Sequence, residues 1–295
     1  MNKKKIIILL MGIAALFLLS GCSIPTDPDT GKYIQITTDT TFQSMLDGEG
    51  FFSALLVYPI AKAVNYLTPL FPESVGVAVA VAVVTAFVNT LVILFTFKSN
   101  IAQQKMTELQ PEMNRITKKY EGKTDDASKN RQAQEINALY KKHGVNPFAT
   151  ILSLFIQFPI LIAMYQAVQR SQAVATGSFL GMSLEISPLD GVTSGQFGYI
   201  ALFAMMVGCQ FLSMKMPTIL ANRKAKEEAE KAHKKYVPTK QAGGSTVYTM
   251  LIVIAVMAIA WPAAMSIYWI ISSLVIVIKT IVLNIITNKH KEAQS

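Results

Sequence analysis

Residues 241–278 read QAGGSTVYTMLIVIAVMAIAWPAAMSIYWIISSLVIVI, a run of 38 residues without a charged side chain, and beyond Lys279 the chain stays apolar to Ile286. One crossing of the roughly 30 Å hydrocarbon layer takes about 20 apolar residues, so this run is long enough for two helices. The Trp261-Pro262 pair disfavours a continuous helix and predicts the turn between them. We therefore expect two spans here, at 246–261 and 262–286.

Three further apolar stretches upstream meet the same criterion. They predict spans at 75–97, 149–169 and 197–214. The composition of the 295-residue chain agrees, because 52% of its residues are hydrophobic and only 15% are charged, whereas about 25% are charged in a typical soluble domain. The expected fold class is an all-α, polytopic membrane protein with five transmembrane helices.

The amino terminus has the features of a bacterial targeting segment. A basic start and an apolar run too short to span the membrane precede Leu19-Ser20-Gly21-Cys22, which resembles the lipobox of bacterial lipoproteins. This resemblance implies that residues 1–21 are a signal peptide and that Cys22 becomes the lipidated first residue, outside the cytoplasm. The polar segment 22–50 is expected to be an external tether, and 51–72 an amphipathic helix on the membrane surface.

The basic residues indicate how the spans are oriented, because Lys and Arg concentrate on the cytoplasmic side of membrane proteins. Ten occur in 98–144 and eight in 215–246, but only one in 170–190. Within the second segment, the charged stretch 225–236 is helix-prone, and we expect it to be a solvated loop rather than a binding element. The pattern and the external amino terminus together predict a multi-pass protein of the cell membrane, lipid-anchored outside, with a short cytoplasmic tail at 291–295.

The longer cytoplasmic segment, 98–144, shows helical periodicity over 101–120 and again over 127–143. Thr124 or Asp125 is a suitable N-cap for the second helix. The segment is therefore expected to form an antiparallel helical hairpin that projects from the membrane. This hairpin is either a contact surface or a solvated basic loop.

The sequence lacks the residue patterns of common enzyme classes. It contains no HExxH zinc motif, Walker A loop, GxSxG elbow or GxGxxG fingerprint. The three histidines are far apart, and no predicted span contains the Asp or Glu expected of an ion-coupled transporter. Cys22 and Cys209 lie in contexts that exclude a disulfide framework. We predict that the protein is not an enzyme, with no catalytic residue, cofactor or metal site.

Neutral polar residues interrupt the predicted spans. The most informative are Thr85 and Asn89 in the first span, Gln157 in the second and Gln210 in the third. The predicted orientation places them towards the cytoplasmic side. Such residues commonly hydrogen-bond to neighbouring spans. They are therefore either contacts between helices or the lining of a wet cavity that is open to the cytoplasm.

A set of ordered motifs resembles the YidC/Oxa/Alb membrane protein insertase family. The match runs from about Phe51 to the end of the fifth predicted span. Together with the lipobox, it resembles the five-span lipoprotein form of Gram-positive bacteria. The motifs that carry the resemblance are Leu109-Gln110-Pro111-Glu112, Gln134-Glu135, Leu139-Tyr140-Lys141, Gly144-Val145-Asn146-Pro147, Phe155-Ile156-Gln157-Phe158-Pro159-Ile160, Trp261-Pro262-Ala263 and Tyr268-Trp269.

The resemblance implies a membrane insertase and chaperone that needs no nucleotide. Such a protein takes a hydrophobic client segment into a hydrophilic groove open to the cytoplasm and the lipid, and releases it sideways into the bilayer. By position, Thr85, Gln157 and Trp269 match groove or substrate-contacting residues. The implied partners are nascent integral membrane proteins and membrane lipid, with the Sec translocon, the signal recognition particle receptor and the ribosome as further candidates. A small-solute transporter or channel subunit is the alternative function.

Two features depart from the family pattern. Asn89 stands where family members usually carry an Arg, and Leu94 where they usually carry a Pro. An amide hydrates a groove but provides no Coulomb attraction for acidic client residues. The carboxyl-terminal tail is also short, so we predict neither direct binding of nucleic acid nor strong binding to the ribosome.

Overall fold

The computed structural model describes residues 24–146, 148–231, 233 and 244–292. The predicted signal peptide, 1–21, and Cys22 lie outside the described residues. The chain divides into two compact units. The described parts of the first are 24–92, Leu154–Gly208 and Ile254–Ser272, and those of the second fall within Ile93–Ser153, Cys209–Val253 and 273–292.

The first unit begins with short helices at the amino-terminal end. Helix α1 covers Phe42–Glu49, and its N-cap Thr41 forms a capping box with Ser44. A π-helical turn at Ser53–Val57 leads into α2, Tyr58–Leu67, and a 3₁₀ turn at Thr68–Leu70 follows.

The long helices account for the apolar stretches of the sequence. Among the described residues, three helices are long and apolar enough to cross a membrane, namely α3, α10 and, as far as Thr287, α12. A fourth, α7, has 23 residues, which is the length of a crossing. The predicted all-α class is confirmed, while the count of five spans stays a prediction. The helices from α3 onward are α3 Gly76–Phe95, α4 Phe97–Glu108, α5 Gln110–Lys119, α6 Asp126–Lys142, α7 Phe148–Arg170, α8 Gln172–Thr176, α9 Pro188–Thr193, α10 Gly198–Lys231, α11 Gly244–Ala260 and α12 Ala263–Glu292.

The sheet in the described chain is a short β-hairpin with two residues in each strand. Strands β1, Ser178–Phe179, and β2, Met182–Ser183, pair antiparallel between α8 and α9. The connection 170–190, which the sequence suggested only as an external link, therefore contains its own short elements. Its backbone also binds the start of α12, because the amide nitrogens of Ala263 and Ala264 donate to the carbonyl oxygens of Ile186 and Leu184.

The prediction of a tether at 22–50 is wrong for the described residues, 24–50. Ile36 is completely buried and Met45 nearly so. Lys62 donates hydrogen bonds to the carbonyl oxygens of Thr37 and Thr38. The segment looked like a tether because its side chains are polar, but its backbone carbonyl groups are what the rest of the first unit binds.

The helix-prone stretch 225–236 is helical as far as Lys231, because α10 continues through 34 residues. Ala, Lys, Arg and Glu favour helix, and side-chain pairs one turn apart add support at Arg223–Glu227 and Lys226–Glu230. The charged residues mark where the apolar surface of the helix ends. They do not mark the end of the helix itself.

The hairpin segment holds three helices rather than the two that its periodicity indicated. The first predicted helix divides at Leu109 into α4 and α5, and α4 starts directly after α3. Asp125 is the N-cap of α6, its side chain accepting from the amide nitrogen of Ser128 at 2.8 Å. A small apolar core closes the hairpin and consists of Leu109, Leu139, Tyr140 and Val145.

Candidate functional site

A buried polar cluster in the first unit joins α3 to α12. The side-chain amide of Asn89 donates to the carbonyl oxygen of Thr85 at 2.9 Å and to the Ser272 hydroxyl at 3.1 Å. All three side chains are at most 6% exposed. The structure thus brings two of the predicted groove residues together, one helical turn apart, and adds Ser272, which the sequence did not single out as a site residue.

Two hydroxyl groups in this unit are buried without a hydrogen-bond partner in the described part of the chain. They belong to Thr85 and Ser266, and both side chains are completely buried. A buried hydroxyl that makes no hydrogen bond costs about 1–3 kcal/mol. Water or the polar backbone of a bound segment would satisfy these groups.

Gln157 extends the polar cluster to a third helix. Its side chain is exposed on α7, and the hydroxyl of Tyr268 on α12 interacts with the side chains of both Gln157 and Ser272. The polar groups of α3, α7 and α12 therefore form one connected set, and an accessible amide lies at one side of it.

Trp269 belongs to an aromatic stack. Its ring lies 5.4 Å from that of Trp261, nearly parallel, and Trp261 in turn lies 4.4 Å from the ring of Tyr165. Only 7% of Trp269 is exposed. The residue therefore packs α12 against the Trp261-Pro262 turn and α7. It borders the polar cluster through its neighbour Tyr268.

Gln210 lies in the second unit, on α10. Its side-chain oxygen accepts a hydrogen bond of 2.7 Å from the hydroxyl of Ser273 on α12. Within that unit it acts as a contact between helices, which is one of the two roles the sequence left open. Cys22, the predicted lipidation site, lies outside the described residues.

A buried ion pair is the site that sequence reasoning missed. Arg170, 1% exposed, donates two hydrogen bonds of 2.5 Å to the carboxylate of Glu49, and its Nε donates to the carbonyl oxygen of Ile34 at 2.8 Å. The amide nitrogen of Ile36 donates back to the carbonyl oxygen of Arg170. The sole basic residue of 170–190 was the available signal. It was read as a sign of orientation rather than of burial.

The hairpin carries a charged cleft of about 540 Å³ between α5 and α6. Glu135 accepts hydrogen bonds from Lys119 at 2.6 Å and from the Tyr120 hydroxyl at 2.7 Å. Lys119 donates to the Glu135 carboxylate, and this bond lowers the pKa of Glu135 and raises that of Lys119. The pKa of Tyr120 is raised because its hydroxyl donates to the same carboxylate.

The described residues show no metal centre, since no group of three or more His, Cys, Asp or Glu side chains among them could hold an ion. What this part of the chain offers is polarity inside apolar helices. Such an arrangement can lower the cost of bringing polar atoms into a membrane.

Known proteins resemble this chain over most of its length. The model of the family described as 60Kd inner membrane protein matches residues 69–291. Membrane protein insertase YidC 1 of Listeria monocytogenes serotype 4b (strain F2365) is 31% identical over 96% of this chain and 84% of its own. Membrane protein insertase YidC of Oceanobacillus iheyensis is 30% identical over 96% and 97%. Membrane protein insertase MisCA of Bacillus subtilis (strain 168) is 29% identical over 94% and 90%.

Proposed function

The chain belongs to the YidC/Oxa/Alb family of membrane protein insertases, and from this premise we propose that it inserts integral membrane proteins into the cell membrane and helps them to fold. Its relatives are named as insertases over nearly the whole chain. The alternative of a small-solute transporter or channel subunit has no support among them.

The observation that carries the proposal is the buried polar cluster. An incoming segment has an apolar part, which is stable in lipid, and polar flanks, which are not. The Asn89 amide, the unpartnered hydroxyl of Thr85 and the exposed Gln157 amide supply hydrogen-bonding groups where a flank would otherwise meet hydrocarbon. The flank then crosses a shorter apolar distance, and the apolar part leaves sideways into lipid.

This mechanism works without bond-making chemistry. Its driving force is the transfer of apolar client surface from water to lipid, about 25 cal/mol per Å². Asn89 carries no charge, so the cluster itself acts by hydration and hydrogen bonding rather than by Coulomb attraction. Partners that deliver clients need only bring them to the groove.

We further propose the finer features that the sequence indicates. The lipobox supports lipidation of Cys22 outside the cell, and the distribution of Lys and Arg supports a cytoplasmic carboxyl terminus. The proposed clients are nascent membrane proteins, delivered alone or with the Sec translocon. The charged hairpin is the proposed meeting point for the ribosome or the signal recognition particle receptor.

Reconstitution of the full-length chain tests the proposal. A single-span client is synthesised in the presence of lipid vesicles with and without the protein, and its translocated tail is assayed for protection from protease. We expect protected tail only in vesicles that contain the protein, with no accompanying leak of small ions. Equal protection in protein-free vesicles would overturn the insertase function, and solute flux without insertion would favour the transporter.

A further inference from the structure

The turn between β1 and β2 exposes a leucine. The strands pair through Ser178–Ser183 and Phe179–Met182, so the two turn residues are Leu180 and Gly181. Leu180 is 66% exposed. The insertase mechanism proposed above does not use this residue, and the sequence predicted the connection that carries it only as an external link.

Leucine is unfavourable at this position in two respects. Both turn residues have positive φ angles, 50° at Leu180 and 80° at Gly181, as a type I′ turn requires. The first turn position normally holds Asn, Asp or Gly, because other L-residues are strained there. Leaving an apolar side chain in water is also unfavourable relative to burying it. Neither cost is offset unless an apolar environment covers the leucine.

The hairpin is fixed where the helix α3 begins. The amide nitrogen of Leu180 donates to the carbonyl oxygen of Ser74 at 2.9 Å, two residues before the first residue of α3. Gly177, directly before β1, lies so close to Val77 of α3 that a β-carbon on it would overlap a methyl group of the valine. Because α3 is long and apolar enough to cross a membrane, these contacts place the turn near the level where that helix enters the bilayer.

A second helix of this kind begins at the same hairpin. The hydroxyl of Tyr199, the second residue of α10, donates to the carbonyl oxygen of Ser183 at 2.6 Å. The sulfur of Met182 packs against Gly198, the first residue of α10, and would lie 2.7 Å from a β-carbon there. Two helices that can span a membrane therefore start beside the hairpin, and the predicted orientation makes this the outer side.

The chain around the turn is suited to the boundary between headgroups and acyl chains. Residues 171–184 carry no charged side chain, so no charge has to leave water when this segment approaches lipid. The two strands pair with each other, which satisfies backbone groups that would otherwise lose hydrogen bonds to water. The turn can therefore bring its apolar side chain into the bilayer without unpaired strand edges between the two chains of the hairpin.

We infer that Leu180 inserts into the outer leaflet and contacts the upper part of the phospholipid acyl chains. Lipid is the occupant that this position favours, because the apolar surfaces of α3 and α10 begin beside the turn. The same boundary carries Phe197, directly before α10, which is 71% exposed. The inference goes beyond the insertase function and does not depend on it.

The test uses the full-length protein in lipid nanodiscs, which leave both membrane faces open to reagents. A phospholipid with a photoactivatable carbene precursor on its upper acyl chain should label Leu180 in the wild-type chain. It should also label Ile200, which is 49% exposed near the start of α10. A water-soluble carbene precursor should instead label Glu185, an exposed residue of the same connection. Fragmentation mass spectrometry assigns the labelled residues.

Leu180→Asn separates the lipid contact from the fold of the hairpin. Asn tolerates the positive φ of this turn, so the amide at position 180 should stay protected from hydrogen exchange by its bond to Ser74. Lipid labelling at position 180 should fall to the level of Glu185. Leu189→Asn, the same change at another exposed leucine of this connection, should leave the labelling of Leu180 unchanged.

Three results would overturn the inference. Stronger labelling of Leu180 by the water-soluble reagent than by the lipid reagent would place the turn in water. Labelling by neither reagent would mean that protein covers the turn, for example a second copy of this chain. Equal lipid labelling of Leu180 and Glu185 would exclude a specific contact. All three are read from the wild-type chain, so the outcome does not depend on the folding of a variant.

Discussion

At the scale of single residues, a change at Thr85 distinguishes two roles of the polar residues, the lining of a client-binding groove and contacts between helices. It has no partner in the described chain, so Thr85→Val removes no protein hydrogen bond. We expect the thermal stability to be equal to that of the wild type or higher, because valine leaves no unsatisfied hydroxyl at this buried site. Insertion should fall about fivefold, since a client loses a hydrogen bond of roughly 1 kcal/mol. Both are measured on the full-length protein in the same vesicles.

Thr90 on the same helix provides the matched control. Its side chain is exposed and donates to the carbonyl oxygen of Ala86 within α3. Thr90→Val should change neither stability nor insertion. Loss of stability in proportion to activity in Thr85→Val would show that the residue serves only to hold the helices together.

A second residue-scale prediction compares Asn89, which lies in the polar cluster, with Phe87, whose side chain on α3 is 63% exposed. An Arg in mid-span costs about 2.5–3.5 kcal/mol unless it finds water or polar partners. We expect Asn89→Arg to be expressed and inserted, and Phe87→Arg to be strongly depleted from the membrane. Quantitative blotting of membrane fractions measures this, and equal depletion of both variants would contradict a hydrated cluster.

The residues of the cluster were partly predictable. Thr85 and Asn89 are four positions apart, so the helical period alone places them on one face. Ser272 lies 183 positions from Asn89, and Glu49 lies 121 from Arg170. Nothing in the local sequence pairs residues at such separations, because those contacts depend on how whole helices pack.

At the scale of elements, the pair Arg170–Glu49 holds the segment before α1 and α1 itself against the end of α7. Removing one partner of a buried pair leaves an uncompensated charge and costs about 3–5 kcal/mol. We therefore expect Arg170→Met to lower the unfolding temperature and to make the segment 24–50 sensitive to protease. The matched surface control is Arg223→Gln in the exposed pair with Glu227, which should cost less than about 1 kcal/mol. A similar loss of stability in the two variants would mean that burial does not increase the contribution of the Arg170–Glu49 pair.

The contact between α5 and α6 should depend on pH. The pKa of Glu135 is lowered in the folded hairpin from its ordinary 4.5, so its contribution is present above that value and is lost as the pH falls through the lowered pKa. The pKa of Lys119 is raised from 10.5, so its contribution is present below that value and is lost as the pH rises through the raised pKa. The protection of the hairpin amides against hydrogen exchange, measured relative to the intrinsic exchange rate at each pH, should therefore fall at both extremes in the full-length protein.

Glu135→Gln should remove the acid-side change in exchange. Glu121→Gln, a change of the same kind at an exposed residue of the same hairpin, should leave it in place. A loss of amide protection at acid pH that persists in Glu135→Gln would assign the effect to another carboxylate.

Elements were predictable where apolar periodicity or caps define them, and not where they continue on polar residues. Asp125 starts α6 as its capping chemistry indicates. The packing of 24–50 was missed, because polar side chains were taken as a sign of a tether, although backbone hydrogen bonds do not require apolar side chains. The helix propensity of 225–236 was read from its residues, but not the continuity of that stretch with α10 as far as Lys231.

At the scale of the whole molecule, composition indicates the class, because 15% of the residues are charged, against about 25% in a typical soluble domain. Maturation is the open prediction at this scale. We expect Cys22→Ala to accumulate as an uncleaved precursor of higher apparent mass, since the thiol is the proposed acceptor of the lipid. Electrophoresis of membrane fractions checks this. Normal processing of the variant would exclude a lipoprotein.

The backbone pairing of the segment before α1 limits how far Cys22 can lie from the folded part of the chain. The amide nitrogen of Ile34 donates to the carbonyl oxygen of Pro25 at 3.0 Å, so the chain is folded back as far as Pro25. Three residue steps lead from Pro25 to Cys22, and they span at most about 11 Å. The acyl chains proposed for Cys22 must therefore enter the outer leaflet close to Pro25. These acyl chains cannot diffuse in the membrane independently of the protein, and the lipid around them stays next to the insertase.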